Sequence, residues 1–309
     1  MDSRRINFRL LQVFRAVVQA GSISQAARQL HLTQPTVSLQ LKSLRDIVGE
    51  PLLETHREGI TLTPAGEYFY QAAGDVLGRF DDLGQQLQRF RGGEVGKLTI
   101  GLVTTAKYLV AQLLSSFAEQ FPDIEVILNI ANRGTILERF RDQADDLYWF
   151  SHPPTGTDVD AEPLVRNPLQ LIAPPNHWAA GQTITFSQLH EERFLIREPG
   201  SATRMLFEAW LSGQGFGLRQ TMQIESNEAI RLGVASGLGL AVISEHPLAH
   251  GAEQVATLKI KGFPLQSYWY LVRHRQRYES YAAHTFVSHV RERLPQIIES
   301  RWLVPTTEA

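Results

Sequence analysis

Apolar residues recur at helical spacing from the start of the chain. Leu11, Phe14 and Val18 predict an opening amphipathic helix. Ser22 stands where a cap belongs before a second helix, residues 23–31, whose Ala26, Ala27 and Leu30 allow close packing. A break at Leu32-Thr33 leads to a third helix over 34–44, with Thr33 as N-cap and Pro35 in the first turn, where its missing N–H costs nothing. Val37, Leu41 and Leu44 share one side of it. The other side shows Pro35, Thr36, Ser38, Leu39, Lys42 and Ser43, with Gln34 at the leading end. Two β-prone pieces, 49–53 and 60–64, lie around the charged turn 55–59 and predict a wing with Arg57 at its tip.

Next, Phe69, Ala73, Val76, Phe80, Leu83, Leu87 and Phe90 follow one another at alternating steps of four and three, an a/d seam with no proline from 65 to 91. Such a helix either lies on its own core or pairs with a second copy. The narrow seam, flanked by Asp81, Asp82, Gln85, Gln86 and Gln88, favours a homodimer, and Gly92-Gly93 ends the helix. Beyond it strands and helices alternate. Strands are expected at 97–103, 125–130, 147–150, 169–173, 193–197, 221–225, 240–244 and 267–273, with helices between them and a long closing helix over 280–299. That rhythm predicts an α/β region with parallel strands.

Composition narrows the function. The chain has 309 residues, 43 % of them hydrophobic and 20 % charged, which suits two or three globular domains. Absence of cysteine excludes disulfides and thiolate metal sites. Neither a signal peptide nor an apolar run long enough to span a bilayer is seen, so a cytoplasmic protein without membrane contact is expected. Net charge is −2, yet residues 1–45 carry seven Lys/Arg against the single acid Asp2, an electrostatic footprint for phosphate contacts or else a solvated helix surface. Two short-turn-linked helices with paired alanines and an acid-poor outer face read as a helix-turn-helix rather than an ordinary three-helix domain. Gln34 suits adenine, Thr36 and Ser38 base edges or phosphate, Leu39 a thymine methyl and Lys42 phosphate.

In the α/β region three strand-to-helix junctions share anion-binding chemistry: Thr104-Thr105, Ser201-Ala202-Thr203-Arg204 and Ser226-Asn227-Glu228. Arg197 and Arg204 add positive charge. The same residue types are also ordinary helix caps. Catalytic signals fail: Gly237-Leu238-Gly239 lacks the third glycine of a dinucleotide loop, His190-Glu191 lacks a second histidine, and Gly96-Lys97 is no phosphate loop. No catalytic residues, metal site or cofactor are assigned.

The run from Ala16 to Gly66, with its Ala26-Ala27 pair, TQPTVS stretch and LTPAG ending, resembles the DNA-binding region of LysR-type transcriptional regulators over about fifty unbroken residues. The segments VTTAKY, NRGTILERF, RNPLQLIAPPNH, LIREPGSATR, ESNEAIRLGVASGLGLAVIS and KGFPL resemble the branch regulating carbon-fixation operons (CbbR-like). The resemblance implies a winged helix-turn-helix over 1–63 and a linker and dimerisation helix over 64–92. An effector-binding domain over 93–309 follows, folded like a type-2 periplasmic binding protein. Its lobe one takes 96–166 and 270–300, and its lobe two 167–269. Thr104, Thr105, Asn132, His152, Arg197, Ser201, Thr203 and Asn227 form the candidate effector set. Implied partners are promoter DNA, a small anionic metabolite, a homodimer assembling into a homotetramer, and RNA polymerase. Two departures stand out. Thr55 occupies a wing position where relatives carry arginine, and Tyr148-Trp149-Phe150 replace smaller residues, either lining the cleft or packing the core. A constitutive DNA-binding repressor with a vestigial cleft is the alternative, and an enzyme fused to a DNA-binding domain a third.

Overall fold

The computed structural model describes residues 3–56, 59–89, 96–156, 158–249, 254–275, 277 and 279–304. Asn7 opens α1 (Phe8–Ala20), its side chain accepting the Leu10 N–H at 3.0 Å, and left-handed Gly21 closes it. Helix α2 (Ile23–Gln29) is shorter than its pattern because His31, at φ 53°, leaves helical backbone. Ser22 holds its N-cap position but makes no side-chain cap bond. Thr33 accepts the Thr36 N–H at the start of α3 (Gln34–Val48). This helix outruns its expected end because Ile47 extends the buried side, until Gly49 at φ 87° stops it.

Strands β1 (Leu53–His56) and β2 (Gly59–Leu62) form an antiparallel wing in register Leu53↔Leu62 to His56↔Gly59, the first strand lying later than the expected 49–53 piece. Helix α4 (Pro64–Arg89) follows at once. Thr63 Oγ1 donates to the Pro51 carbonyl at 2.6 Å and accepts the Gly66 N–H at 2.9 Å. A Cβ on Gly66 would lie 2.0 Å from the Leu52 carbonyl oxygen, so only glycine lets the helix start against the wing. Val13, Val17, Ala26, Ala27 and Val37 bury one side of the three-helix cluster, and Leu10, Phe14, Leu44, Ile47, Leu52 and Tyr70 the other.

The chain divides into two units, Met1–Gly96 with Gln276–Tyr281 and Lys97–Arg275 with Ala282–Ala309. In the second unit β3 (Gly96–Val103), α5 (Lys107–Gln120), β4 (Ile124–Ala131), α6 (Arg133–Arg141), β5 (Leu147–Phe150) and β6 (Val159–Arg166) build the first lobe. The second holds β7 (Leu169–Ala173), β8 (Thr183–Ile184), β9 (Arg193–Ile196), α7 (Ala202–Gly213), β10 (Gln220–Gln223), α8 (Asn227–Ala235), β11 (Leu240–Ser244), α9 (Glu245–Ala249), β12 (Ala256–Thr257) and β13 (Lys259–Ile260). The chain then returns through β14 (Tyr268–His274) to α10 (Tyr281–Ile297).

The sheets run β4-β3-β5-β14-β6 and β10-β9-β11-β7-β12, beside a small β8-β13 pair. The expected parallel pairs are β3 with β5 and β9 with β10 and β11, while β14 is antiparallel to β5 and β6, and β7 is antiparallel to β11 and β12. One crossover leaves the first lobe and another returns to it, so their ends must run oppositely. Strand β6 escaped the pattern because its alternation breaks at Pro163, which is followed by adjacent Leu164 and Val165. It is an edge strand whose register shifts beside Pro163, where a missing N–H is tolerated. Tyr148, Trp149 and Phe150 are fully buried core residues, resolving their assignment away from the cleft. The Tyr148 hydroxyl donates to the Arg139 carbonyl and accepts the Asp145 N–H at 2.8 Å. Buried Asp145 in turn takes two bonds of 2.7 Å from Arg139.

Candidate DNA-binding face and ligand cleft

Helix α3 buries Val37, Leu44 and Ile47 and turns Gln34, Pro35, Ser38, Leu39, Lys42 and Ser43 to solvent. Leu39 is 69 % exposed, a large apolar side chain left out of every core. Thr36 is half-buried, its hydroxyl 2.8 Å from that of Thr33. The Gln34 amide is held from behind, since Ser24 Oγ donates to its Oε1 at 3.1 Å. Ser38 and Lys42 border a groove of about 300 Å³ between α3 and the wing, with Thr55 on its far side. Leu39 and Ser43 border a second hollow with Arg5 and Arg9, cations the helix pattern alone did not attach to this face. Arg57 lies outside the described residues.

The seam on α4 splits. Half-buried Phe69 packs its ring 5.2 Å from that of Phe14, and Ala73 is 2 % exposed, so both contribute to the unit's own core. One periodicity can serve a core and a seam alike, and within this chain these two positions already serve the core. Val76, Phe80 and Leu83 remain exposed, with Phe80 edge-on to Phe8 at 4.4 Å. The Leu87 side chain and Phe90 lie outside the described residues. No described helix is long and apolar enough to cross a membrane.

In the second unit the C-terminal ends of β3, β4, β5 and β9 converge. Thr104, Thr105, Asn132, Arg197, Ser201 and Thr203 line one small cavity with Val103, Arg133, Ser151 and Ala202. Six of the eight expected residues therefore meet. Asn227 does not line it but stands behind Arg197, whose Nη1 donates to its Oδ1 at 2.7 Å. His152 is exposed and joins through its backbone, its carbonyl accepting from Arg133 Nε at 2.7 Å. Burial, then Arg133, push the His152 imidazole below its ordinary value. Several groups around the cavity are already engaged. Thr104 Oγ1 donates to the Ala131 carbonyl, Thr105 Oγ1 accepts from Trp269 Nε1, and Asn132 Oδ1 caps α6 through the Thr135 N–H.

Sequence reasoning missed Arg133 and Ser151, though each follows a strand end by one or two positions, the signal that found their neighbours. It also missed how the lobes touch. The Gly134 N–H donates to the Gly200 carbonyl at 3.2 Å, with Gly200 at φ 88°, a left-handed conformation suited to glycine. Glu228, at the start of α8, pairs with Lys107 at 2.6 Å and accepts the Tyr108 hydroxyl of α5. Burial alone would raise the Glu228 carboxyl. Bonds from Lys107, Tyr108, its own backbone and Ser226 outweigh it and lower the value to about 2. Burial and the Glu228 bond raise the Tyr108 phenol. Among the described residues no cluster of three or more His, Cys, Asp or Glu could hold a metal.

Residues 91–295 match the family profile described as LysR substrate binding domain, and 8–67 that of the bacterial regulatory helix-turn-helix protein, lysR family. The HTH-type transcriptional activator CmpR of Synechocystis sp. is 37 % identical over 90 % of this chain and 93 % of its own length. A RuBisCO operon transcriptional regulator of Acidithiobacillus ferrooxidans is 36 % identical over 88 % of this chain and 89 % of its own. The regulatory domain of Synechocystis PCC6803 CcmR, solved in complex with 2-PG, is 34 % identical and superposes with a TM-score of 0.62. That match covers 64 % of this chain and 96 % of that one.

Proposed function

The chain belongs to the LysR family of bacterial transcription regulators, and on that premise we propose that a small anionic metabolite, held between the lobes, modulates its sequence-specific promoter binding. It is a DNA-binding regulator with an effector-binding domain and not an enzyme. The observation that carries the reading is the convergence of eight hydroxyl, amide and guanidinium residues from both lobes on one cavity, with Arg197 buried to 4 % exposure. The CcmR domain holds 2-PG, and for this chain a phosphorylated acid such as 2-phosphoglycolate is the effector class we test first. Carbon-fixation promoters are the corresponding targets, by likeness to the CmpR and RuBisCO operon regulators.

On DNA, Gln34 and Leu39 read base edges, and Ser38, Lys42 and the cations Arg5 and Arg9 meet phosphate. The exposed Val76, Phe80 and Leu83 pair two copies into a homodimer, putting recognition helices on half-sites about one helical turn apart or a multiple of it. A tetramer on DNA and contact with RNA polymerase extend the same scheme. The effector shifts promoter binding only through unequal affinity for two lobe arrangements.

The test is thermal unfolding of the full chain against 2-phosphoglycolate, a sugar bisphosphate, reduced nicotinamide phosphate and simple carboxylates. At 100 times its dissociation constant a true effector adds about 2.7 kcal/mol to the stability of the second unit, and its footprint on promoter DNA changes. The cavity is only about 10 Å³, room for about one water, which favours the constitutive alternative. Footprints unmoved by every compound, with no thermal shift, would establish that alternative.

A further inference from the structure

We propose that Glu198 is a built-in surrogate for the effector, a carboxylate that occupies Arg197 until an external anion takes its place. The inference rests on the cleft reading above. Arg197 Nε donates to Glu198 Oε2 at 2.8 Å and Nη2 to Oε1 at 2.9 Å, the two-pronged geometry by which a guanidinium holds a carboxylate or phosphate. Both side chains are buried, Arg197 at 4 % and Glu198 at 7 % exposure. The edge of Arg197 that an anionic ligand would grip is therefore already gripped from within, beside a cavity of about 10 Å³.

The pairing is unusual in its locality. Neighbours along a strand point to opposite faces, but β9 ends at Ile196, and the loop that follows folds one side chain onto the next. Releasing Glu198 needs rotation of one side chain, with no element of the sheet displaced. Exchange is also energetically even-handed. A buried ion pair adds little net stability, whereas a buried guanidinium stripped of any anion costs several kcal/mol, so an incoming anion can replace Glu198 but cannot merely be absent. Behind the pair, Asn227 accepts from Arg197 Nη1 with its oxygen, while its buried Nδ2 has no hydrogen-bond partner.

The device selects a chemical class. A monoanionic carboxylate offers Arg197 only what Glu198 offers already. A compact acid with two anionic ends brings more: one end replaces Glu198, and the other meets Arg133 and the Thr104 and Ser201 side of the cavity.

The experiment compares full-length wild type with Glu198→Gln and Glu198→Asp by calorimetry and thermal unfolding, using 2-phosphoglycolate, inorganic phosphate and acetate as probes. Glu198→Gln should unfold at a lower temperature alone, bind 2-phosphoglycolate at least about tenfold tighter, and gain measurable stabilisation by inorganic phosphate. Glu198→Asp, which keeps the charge on a shorter arm, should fall between the two and serves as the readout if the glutamine variant does not fold. A merely structural carboxylate would lower stability without tightening the anion. Wild-type binding with equal or weaker affinity in the variants overturns the surrogate role and leaves the cleft reading standing. Binding of no probe by any of the proteins overturns both.

Discussion

The recognition face and the ligand cleft solve opposite problems with similar side chains. On α3, Gln34, Ser38, Leu39 and Lys42 stand in solvent on a rigid helix, and Phe80 on α4 is 55 % exposed. In the cleft, Arg197, Ser201 and Thr203 are buried, and the guanidinium is held by Glu198 and Asn227. A partner as large as a DNA duplex or a second subunit brings its own buried area, so the surface that receives it can wait exposed. A small anion brings little area, and the protein must keep its buried charge compensated in the meantime. Exposure is therefore no guide to functional weight here: buried polar residues such as Arg197 and exposed apolar ones such as Leu39 are both candidate contacts.

Three variants sharpen the contrast. The largest effect is expected of Phe80→Asp: losing a buried phenylalanine costs about 3–5 kcal/mol, so dimer affinity should fall more than a hundredfold at the same cost. Sedimentation showing an unchanged dimer would place the interface elsewhere, while anion binding in the cleft should survive either way. Next, Gln34→Ala should cost about 1–3 kcal/mol on specific DNA and relax discrimination at one base pair. A competition assay with every single-base operator variant reads this, and an unchanged preference would remove Gln34 from base readout. The smallest effect belongs to the cross-lobe contact. Glu228 titrates near 2 in the fold against an ordinary 4.5, so its stabilisation is complete above about pH 4.5 and lost as pH falls through 2. Its side chain is 37 % exposed, and solvent screening reduces the contribution to about 1 kcal/mol. Glu228→Gln should lose that increment at pH 7 and show a shallower fall of stability toward pH 2. Parallel wild-type and variant curves would show that the Lys107 and Tyr108 bonds contribute nothing net.

The recognition helix was legible because one period decides it: Val37 and Leu44 must go inward, which leaves Ser38, Leu39 and Lys42 outside. The same period is ambiguous at Phe69 and Ala73, because a seam looks alike whether a partner or the chain's own core covers it. Thr104, Asn132 and Ser201 were found by their positions at strand ends, but nothing in their identities separates a cap from a ligand contact. Asn132 is both a cap and a wall of the cavity. The Arg197–Glu198 chelate was illegible, since it depends on a backbone turn that removes the alternation expected of neighbours. Tyr148, Trp149 and Phe150 were ambiguous for a related reason. An aromatic run at a strand end fits a core or a pocket equally well, and only surrounding volume decides.

The joint between wing and long helix carries one more consequence. Thr63 is bonded to Pro51 and caps Gly66, and the Gly66 backbone sits against the Leu52 carbonyl with no space for a methyl group. That joint is a weld, and the 26 residues of α4 are a lever arm about 39 Å long. A tilt of only about 5° at the weld sweeps the far end by about 3.4 Å, the rise of one base pair. In the homodimer proposed above, the half-site spacing that the pair accepts would then depend on how far this one threonine–glycine corner bends.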